Sequence, residues 1–408
     1  MSTHAVSNTL SPSVAPSTAA RPDLVVLTNV PTPYRLALHH RIETEMPEVC
    51  LVTLYTHDVA DQGWKLEAAA SEVVRFGQGD SVNDSSKPGR ALHEWRKGGR
   101  IIEWFKARPT KPAGLMLCGY NDPARLRVLR WATANGIPTF LVGDSNIHGE
   151  SVSGVKAIVK KAVVGWVIRR CDGVMPCGTF GEQFFVKYGA RPERVFYVPY
   201  EPDYALIENL PRDVIDAAAV KWKLDPARKR IVFCSRMIDV KRPGMAVEAF
   251  VAIARDRPEF DLIMIGDGPL KAATEASVPA ELRARVTFTG FIGSQTEISA
   301  IYRLSHIFLH PSVYEPWGVV INESVCAGMA VVSASTVGAA GELVRDGVNG
   351  LLFPPGDGPK MAAALLAATD AGMLARLQAG APGVLADWRR RGDPVNGIRR
   401  ALASVGPR

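Results

Sequence analysis

Two glutamates eight residues apart bracket a glycine in the run His310-Pro-Ser-Val-Tyr-Glu315-Pro-Trp-Gly318-Val-Val-Ile-Asn-Glu323. Proline suits the first turn of a helix, so a helix is expected to begin near Pro316. Glu315 then lies at its N-terminal edge and Glu323 about two turns in, up to ~12 Å along the axis at 1.5 Å per residue. That span suits a diphosphate between two sugar rings. The N–H groups of Trp317, Gly318 and Val319 would be the unpaired donors facing phosphate oxygens, and Gly318 lets backbone approach closely. Upstream, Arg236 and Lys241 follow an apolar run and offer fixed cations that stabilise a leaving diphosphate. Two unrelated surface glutamates and a solvated Lys/Arg pair are the plain alternatives. Gly266-Asp-Gly268 reads either as a tight turn or as a dinucleotide fingerprint whose third glycine is replaced by Lys271. Neither a Gly-Lys-Ser/Thr sequence nor an Asp-x-Asp pair occurs, so a P-loop is excluded and the usual Asp-x-Asp anchor for a metal-bound diphosphate is missing.

Elements that could position these residues follow from periodicity. Short runs of Val, Ile, Leu and Phe alternate with segments of helical period, the pattern of βαβ units around parallel sheets buried on both faces. The first series of expected strands is Leu24–Val30, Val49–His57, Gly114–Gly119, Pro138–Asp144, Gly173–Gly178 and Arg194–Tyr200. A polar helical stretch, Pro211–Leu224, separates it from a second series. That series comprises Ile231–Ser235, Phe260–Ile265, Val286–Phe291, His306–His310, Ala330–Ser335 and Gly350–Phe353. The expectation is an α/β chain with two Rossmann-like, doubly wound domains, at 22–205 and 206–385, sharing a cleft at the carboxyl ends of their strands. Residues 1–21 read as a disordered tail, and 386–408 as a C-terminal helix that packs back on the first domain.

The chain has 408 residues, 47% of them apolar and 22% charged, which fits two globular domains and excludes disordered and fibrous classes. A net charge of +7 allows an anionic small molecule, a membrane surface or nucleic acid as partner. Six cysteines without a Cys-x-x-Cys read as free thiols of a reducing cytosol. No secretory leader and no apolar stretch of ~20 residues is present, so the expected location is the cytoplasm, with attachment to the inner face of a membrane left open.

From Lys229 to Asp357 the chain resembles retaining GT-B glycosyltransferases of family 4. The resemblance rests on the Glu-x7-Glu pair, Ser235-Arg236-Met-Ile-Asp-Val-Lys241-Arg-Pro, Ile265-Gly-Asp-Gly-Pro269, Phe288-Thr-Gly-Phe291, and Gly338-Ala-Ala-Gly-Glu342 through Asp346-Gly-Val-Asn-Gly350. It implies that Glu315 contacts hydroxyls of the transferred sugar, Glu323 holds the ribose, and Arg236 with Lys241 holds the diphosphate. Gly266 and backbone groups near Phe291 would complete the nucleotide site. It also implies a nucleotide diphosphate sugar as donor substrate, no separate cofactor, no metal, and a glycan or lipid-linked acceptor of polysaccharide synthesis. A glycan phosphorylase, a sugar-nucleotide epimerase, or a non-catalytic binder of sugar nucleotides or anionic surfaces are the alternatives.

In the first domain, Pro-Thr-Pro-Tyr34-Arg35 stands where many relatives carry paired glycines, so Tyr34 or Arg35 either acts at the cleft or simply starts a helix. Asp144 stands where relatives place a histidine near the sugar, and reads equally as a turn or N-cap. Lys87–Arg130 carries eleven Lys/Arg against three acids with Trp95, Trp104, Phe105 and Trp131 interleaved, yet no nucleic-acid module accompanies it. Val155–Arg170 has Val155, Ile158, Val159, Ala162, Val163, Trp166 and Val167 at helical spacing with five cations and no acid. It is either a core helix with a basic outer face or a dock for anionic lipid.

Overall fold

The computed structural model describes residues 21–58, 72–80, 89–150 and 152–406. The expected tail, apart from Arg21, lies outside them, as does Lys87. Six parallel strands form each of two sheets. The first holds β1 (Asp23–Thr28), β2 (Cys50–Tyr55), β3 (Glu72–Arg75), β4 (Gly114–Cys118), β5 (Thr139–Gly143) and β6 (Gly173–Pro176), in the order β3-β2-β1-β4-β5-β6. The second holds β7 (Lys229–Cys234), β8 (Phe260–Ile265), β9 (Val286–Gly290), β10 (Ile307–His310), β11 (Ala330–Ala334) and β12 (Gly350–Phe353), in the order β12-β11-β10-β7-β8-β9. Renumbered within its own domain, the second order is the first one reversed, so both sheets have the 3-2-1-4-5-6 doubly wound topology. In each, strand order reverses beside the first strand, between β1 and β4 and between β7 and β10. Such switch points open a crevice at the carboxyl ends of the strands.

Alternation along β1 shows how the first sheet is covered. Val25 and Leu27 join the core beneath the helices Arg90–Lys106, Pro123–Ala134 and Gly154–Ile168. Leu24 and Val26 join the opposite core with Ile42, Val395, Ile398 and Ala401. Successive residues of a strand point to opposite faces, so an apolar run buries both. Asp-Pro pairs start two of the covering helices: Asp122 accepts from the Arg125 N–H at 2.8 Å and Asp393 from the Asn396 N–H at 2.7 Å.

The chain passes between the domains twice. Its first crossing runs through Tyr200 and Glu201. Its second follows the helix Ala371–Arg391, which continues through the expected boundary at 385, and leads into Pro394–Ala403 on the first sheet. Arg41 joins both crossings, donating to Glu201 at 2.9 Å and to Asp393 at 2.6 Å. Arg194–Tyr200 is not a strand: it makes one bridge, Val174 with Val195, and then runs beside β6 as a strap whose Phe196 and Val198 are buried. The short edge strand β3 was not anticipated, because its four residues are only partly covered.

Candidate functional site

The helix after β10 runs Val319–Cys326 and begins three residues later than expected. Before it, Glu315–Trp317 lies extended against Val337–Ala339: Gly338 N–H donates to the Glu315 carbonyl at 3.1 Å and Ala339 N–H to the Trp317 carbonyl at 2.7 Å. Gly318 then turns with φ 90°, a left-handed conformation that ends the extended run and delays the helix. Trp317 is therefore not a first-turn donor. Its indole is buried between the domains, donates to the Tyr200 carbonyl at 2.8 Å and packs 5.5 Å from Trp388. The first-turn N–H groups belong to Val319 and Val320, and Glu323 stands just over one turn in, not two.

Glu315 is fixed on several sides. Asn146 of the first domain donates to the carbonyls of Glu315 and Pro316 at 2.9 and 3.1 Å, while its own side-chain oxygen accepts from His148 N–H. The Glu315 carboxylate forms an ion pair with Lys241. Lys241 is thus buried against Glu315, whereas Arg236, at the start of the same loop, stands exposed. Burial, and Arg236 nearby, push the Lys241 ammonium down to about 8, and the Glu315 carboxylate works against that shift. His310 ends β10 beneath this pair, with Nε2 3.7 Å from the Glu315 carboxylate and its ring stacked on Phe308. Neither ring nitrogen has a hydrogen-bond partner. Burial and Lys241 lower it to about 3, so the imidazole is neutral.

Gly266 and Gly268 serve the Arg236 loop. A Cβ on Gly266 would lie 1.9 Å from the Ser235 carbonyl, and one on Gly268 2.6 Å from that of Met237. The two loops clasp through Met237 N–H to the Asp267 carbonyl at 2.8 Å and Leu270 N–H to the Met237 carbonyl at 3.0 Å. The tight-turn reading accounts for both glycines. Glu323 is buried beside Tyr302, and burial raises its carboxyl to about 7; the Tyr302 hydroxyl pulls it back in part, although no hydrogen bond of normal geometry joins them. Phe291 is exposed just beyond β9.

From the first domain, Arg35 reaches Cys118 Sγ at 3.3 Å and Tyr200 Oη at 3.5 Å, in a narrow crevice lined also by Tyr34 and Val142. The Tyr34 and Tyr200 rings are 4.6 Å apart. Burial opposes the Arg35 charge, but Cys118, Tyr200 and Tyr34 more than offset it, so the cation persists. Asp144, following β5, is raised by burial, with its own backbone N–H and Arg35 opposing. Pro33-Tyr34-Arg35 also starts the helix Pro33–Glu45. A larger cavity of about 260 Å³ opens at the amino end of β6, opposite the edge where open sheets take ligands.

Sequence reasoning missed Asn146, Tyr200 and His310 as parts of this site. Only His310 carried a local signal, a polar residue ending a buried strand directly before the glutamate run.

Among the described residues, one cluster brings metal-ligating atoms together: Asp80, His93 and Glu94. The buried Lys97 ammonium sits in it, 2.7 Å from Asp80 and 3.0 Å from Glu94, and supplies the positive charge an ion would. All six cysteines are free.

The same architecture occurs in solved structures. HepE of Anabaena, in complex with UDP and glucose, superposes with a TM-score of 0.69 at 18% identity, covering 94% of this chain and 100% of that one. Sucrose-phosphate synthase of Thermosynechococcus elongatus gives 0.70 at 16% identity, with the same coverage. The fold is GT-B. Within it, residues 228–370 match the family described as glycosyl transferases group 1. The chain is 30% identical over 227 residues to 2-deoxystreptamine glucosyltransferase of Streptomyces kanamyceticus, 54% of this chain and 57% of that protein. It is 34% identical over 206 residues to D-inositol 3-phosphate glycosyltransferase of Thermobispora bispora, 48% and 47% of the two chains. These matches span about half the length of each relative.

Gly318 gives a direct check on how Glu315 is held. A Cβ there would meet Glu315 Cγ at 2.9 Å and Val337 Cγ1 at 3.3 Å, on a backbone with φ 90°. Gly318→Ala is expected to cost about 1–2 kcal/mol and to lower Tm by a few degrees. Calorimetry decides it, and an unchanged Tm would contradict the strained turn.

Proposed function

We propose that this chain is a glycosyltransferase moving a sugar from a nucleotide diphosphate donor to an acceptor hydroxyl, with retention of configuration and without a metal ion. The observation that carries the reading is the pairing of Glu315 with Lys241 beyond the carboxyl end of β10, closed from the other side by Asn146, with Arg236 following β7 and Glu323 on the helix after β10. As the bond from the anomeric carbon to the diphosphate breaks, negative charge grows on the phosphate oxygens. Arg236, with the Val319 and Val320 N–H groups, meets that charge electrostatically. Glu315 faces the positive charge growing on the sugar, with Lys241 and Asn146 holding it in place. The acceptor oxygen bonds to the anomeric carbon as the bond to the diphosphate breaks, and the acceptor's proton passes to an oxygen of the departing diphosphate. Retention, and an acceptor from polysaccharide or lipid-linked glycan synthesis, are taken from the resemblance of Lys229–Asp357 to family 4.

HepE was solved with UDP-glucose, so uridine donors head the panel to be tested. Release of nucleoside diphosphate from uridine, guanosine, adenosine and thymidine diphosphate sugars, with and without glycan acceptors, tests the proposal. Absence of both turnover and donor-induced thermal shift across the panel would overturn it, and acceptor-dependent consumption of inorganic phosphate would favour a phosphorylase. Transfer in excess EDTA is expected to stay within about twofold of the untreated rate, because protein cations and N–H groups neutralise the leaving group. Loss restored only by Mg²⁺ or Mn²⁺ contradicts the metal-free step.

A further inference from the structure

The helix Gly154–Ile168 carries two apolar faces, and only one of them has a partner among the described residues. Val164, Val167 and Ile168 pack into the first domain's core. Val155, Ile158, Val159, Ala162 and Val163, expected from their spacing to be core residues, instead face solvent, with Val155 75% and Ile158 70% exposed. At 3.6 residues per turn these five make a stripe about 140° wide, centred opposite the core-facing residues. Val152, exposed just before the helix, adjoins its N-terminal end. Five of the eleven exposed large hydrophobic side chains among the described residues fall between Val152 and Val163, so this is a continuous patch and not scattered exposure.

Charge specifies what fits the patch. Exposed Lys156 and Lys161 lie on the two flanks of the stripe, and no acidic residue occurs from 151 to 170. Lys160, on the core side, is neutralised by Glu150, which also binds Lys187 at 2.7 Å and the Tyr188 hydroxyl at 2.9 Å. Half-buried Trp166 continues the stripe toward the C-terminal end, with the Arg170 guanidinium 3.9 Å from its ring centroid. An apolar stripe flanked on each side by a lysine, ending in an amphipathic indole, matches the headgroup boundary of an anionic bilayer.

The other basic stretch exposes only Leu92 and Trp95 of its described large apolar side chains, and several of its cations are paired within the fold. Lys97 and Arg125 are buried in ion pairs, Arg108 binds Asp23 and Glu72, and Phe105 is in the core with Trp104 and Trp131 packed against it.

We propose that the exposed face of Gly154–Ile168 docks this protein on anionic lipid bilayers, with Val155, Ile158, Val159 and Val163 entering the headgroup region and Lys156 and Lys161 contacting acidic headgroups. The proposal is independent of the transfer chemistry. No described helix is long and apolar enough to cross a membrane, so the attachment is peripheral.

Flotation of the full chain with phosphatidylcholine vesicles, and with vesicles also containing phosphatidylglycerol, tests it. Binding is expected only to the anionic vesicles, weakening as salt rises, with a blue shift of Trp fluorescence. Val155→Asn with Ile158→Asn, and separately Lys156→Glu with Lys161→Glu, should each reduce binding by ~10-fold or more. All four side chains are exposed, so unchanged melting curves serve as the folding control. Equal binding to both vesicle types, no binding to either, or insensitivity to both pairs of substitutions would overturn the proposal. A dimer in lipid-free sedimentation that Val155→Asn with Ile158→Asn dissociates would also overturn it, by assigning the face to a second copy of the chain.

Discussion

Replacing Glu315 by glutamine is expected to lower kcat and kcat/KM together, by about 10²-fold or more. The amide keeps the shape of the side chain, and the backbone contacts to Asn146 and Gly338 are untouched. What disappears is a negative charge held opposite the positive charge that develops on the sugar, an interaction stronger in the transition state than in the ground state. Lys241 also loses its counter-ion. Steady-state kinetics with melting curves decide the matter. Near-wild-type kcat in a folded variant would remove Glu315 from the site.

Glu323→Gln is expected to act in the opposite sense on stability. The folded-state carboxyl is raised to about 7 from an ordinary 4.5, so the folded protein binds this proton more tightly than the unfolded chain does. Its contribution to stability is therefore largest below pH 4.5, declines as pH rises toward 7, and is flat above. At 1.36 kcal/mol per unit, the cost of holding the buried charge at pH 8 is about 3 kcal/mol. An uncharged amide escapes it. The variant should melt several degrees higher than wild type at pH 8 and nearly equal to it at pH 5. Donor KM should meanwhile rise by about 10-fold or more with kcat less affected, since a ribose contact acts in ground and transition states alike. A lower Tm at pH 8 would contradict the buried charge, and an unchanged KM the ribose role.

Strands were legible in sequence where an apolar run is buried on both faces, as in Ile307–His310 and Ala330–Ala334; Phe260–Ile265 and Gly350–Phe353 also fall where the periodicity puts them. Legibility failed wherever a local signal had more than one structural outcome. Proline at position 316 is a good helix opener, but φ 90° at Gly318 and the pairing with Val337 override it. Phe196 and Val198 are as apolar as a strand, yet serve as a buried strap. In Gly154–Ile168 the period was right and the face was not, because periodicity locates an apolar stripe without saying what covers it. Lys97 looks like surface charge in the sequence and is fully buried. The site's decisive contacts, Lys241 with Glu315 and Asn146 with Glu315, join residues 74 and 169 positions apart, beyond the reach of any local pattern.

The two crossings between domains also determine how the cleft can open. Joints set far apart would act like a door's hinges, fixing an axis and permitting a swing in one plane. Here one guanidinium, that of Arg41, grips Glu201 on the outgoing crossing and Asp393 on the returning one, so both lie within the span of a single side chain. Mechanically that is a ball joint. Such a joint by itself restrains neither roll nor twist, so alignment of the two halves of the site falls to contacts away from the pivot: Asn146 on Glu315 and Glu342 on the Thr179 N–H.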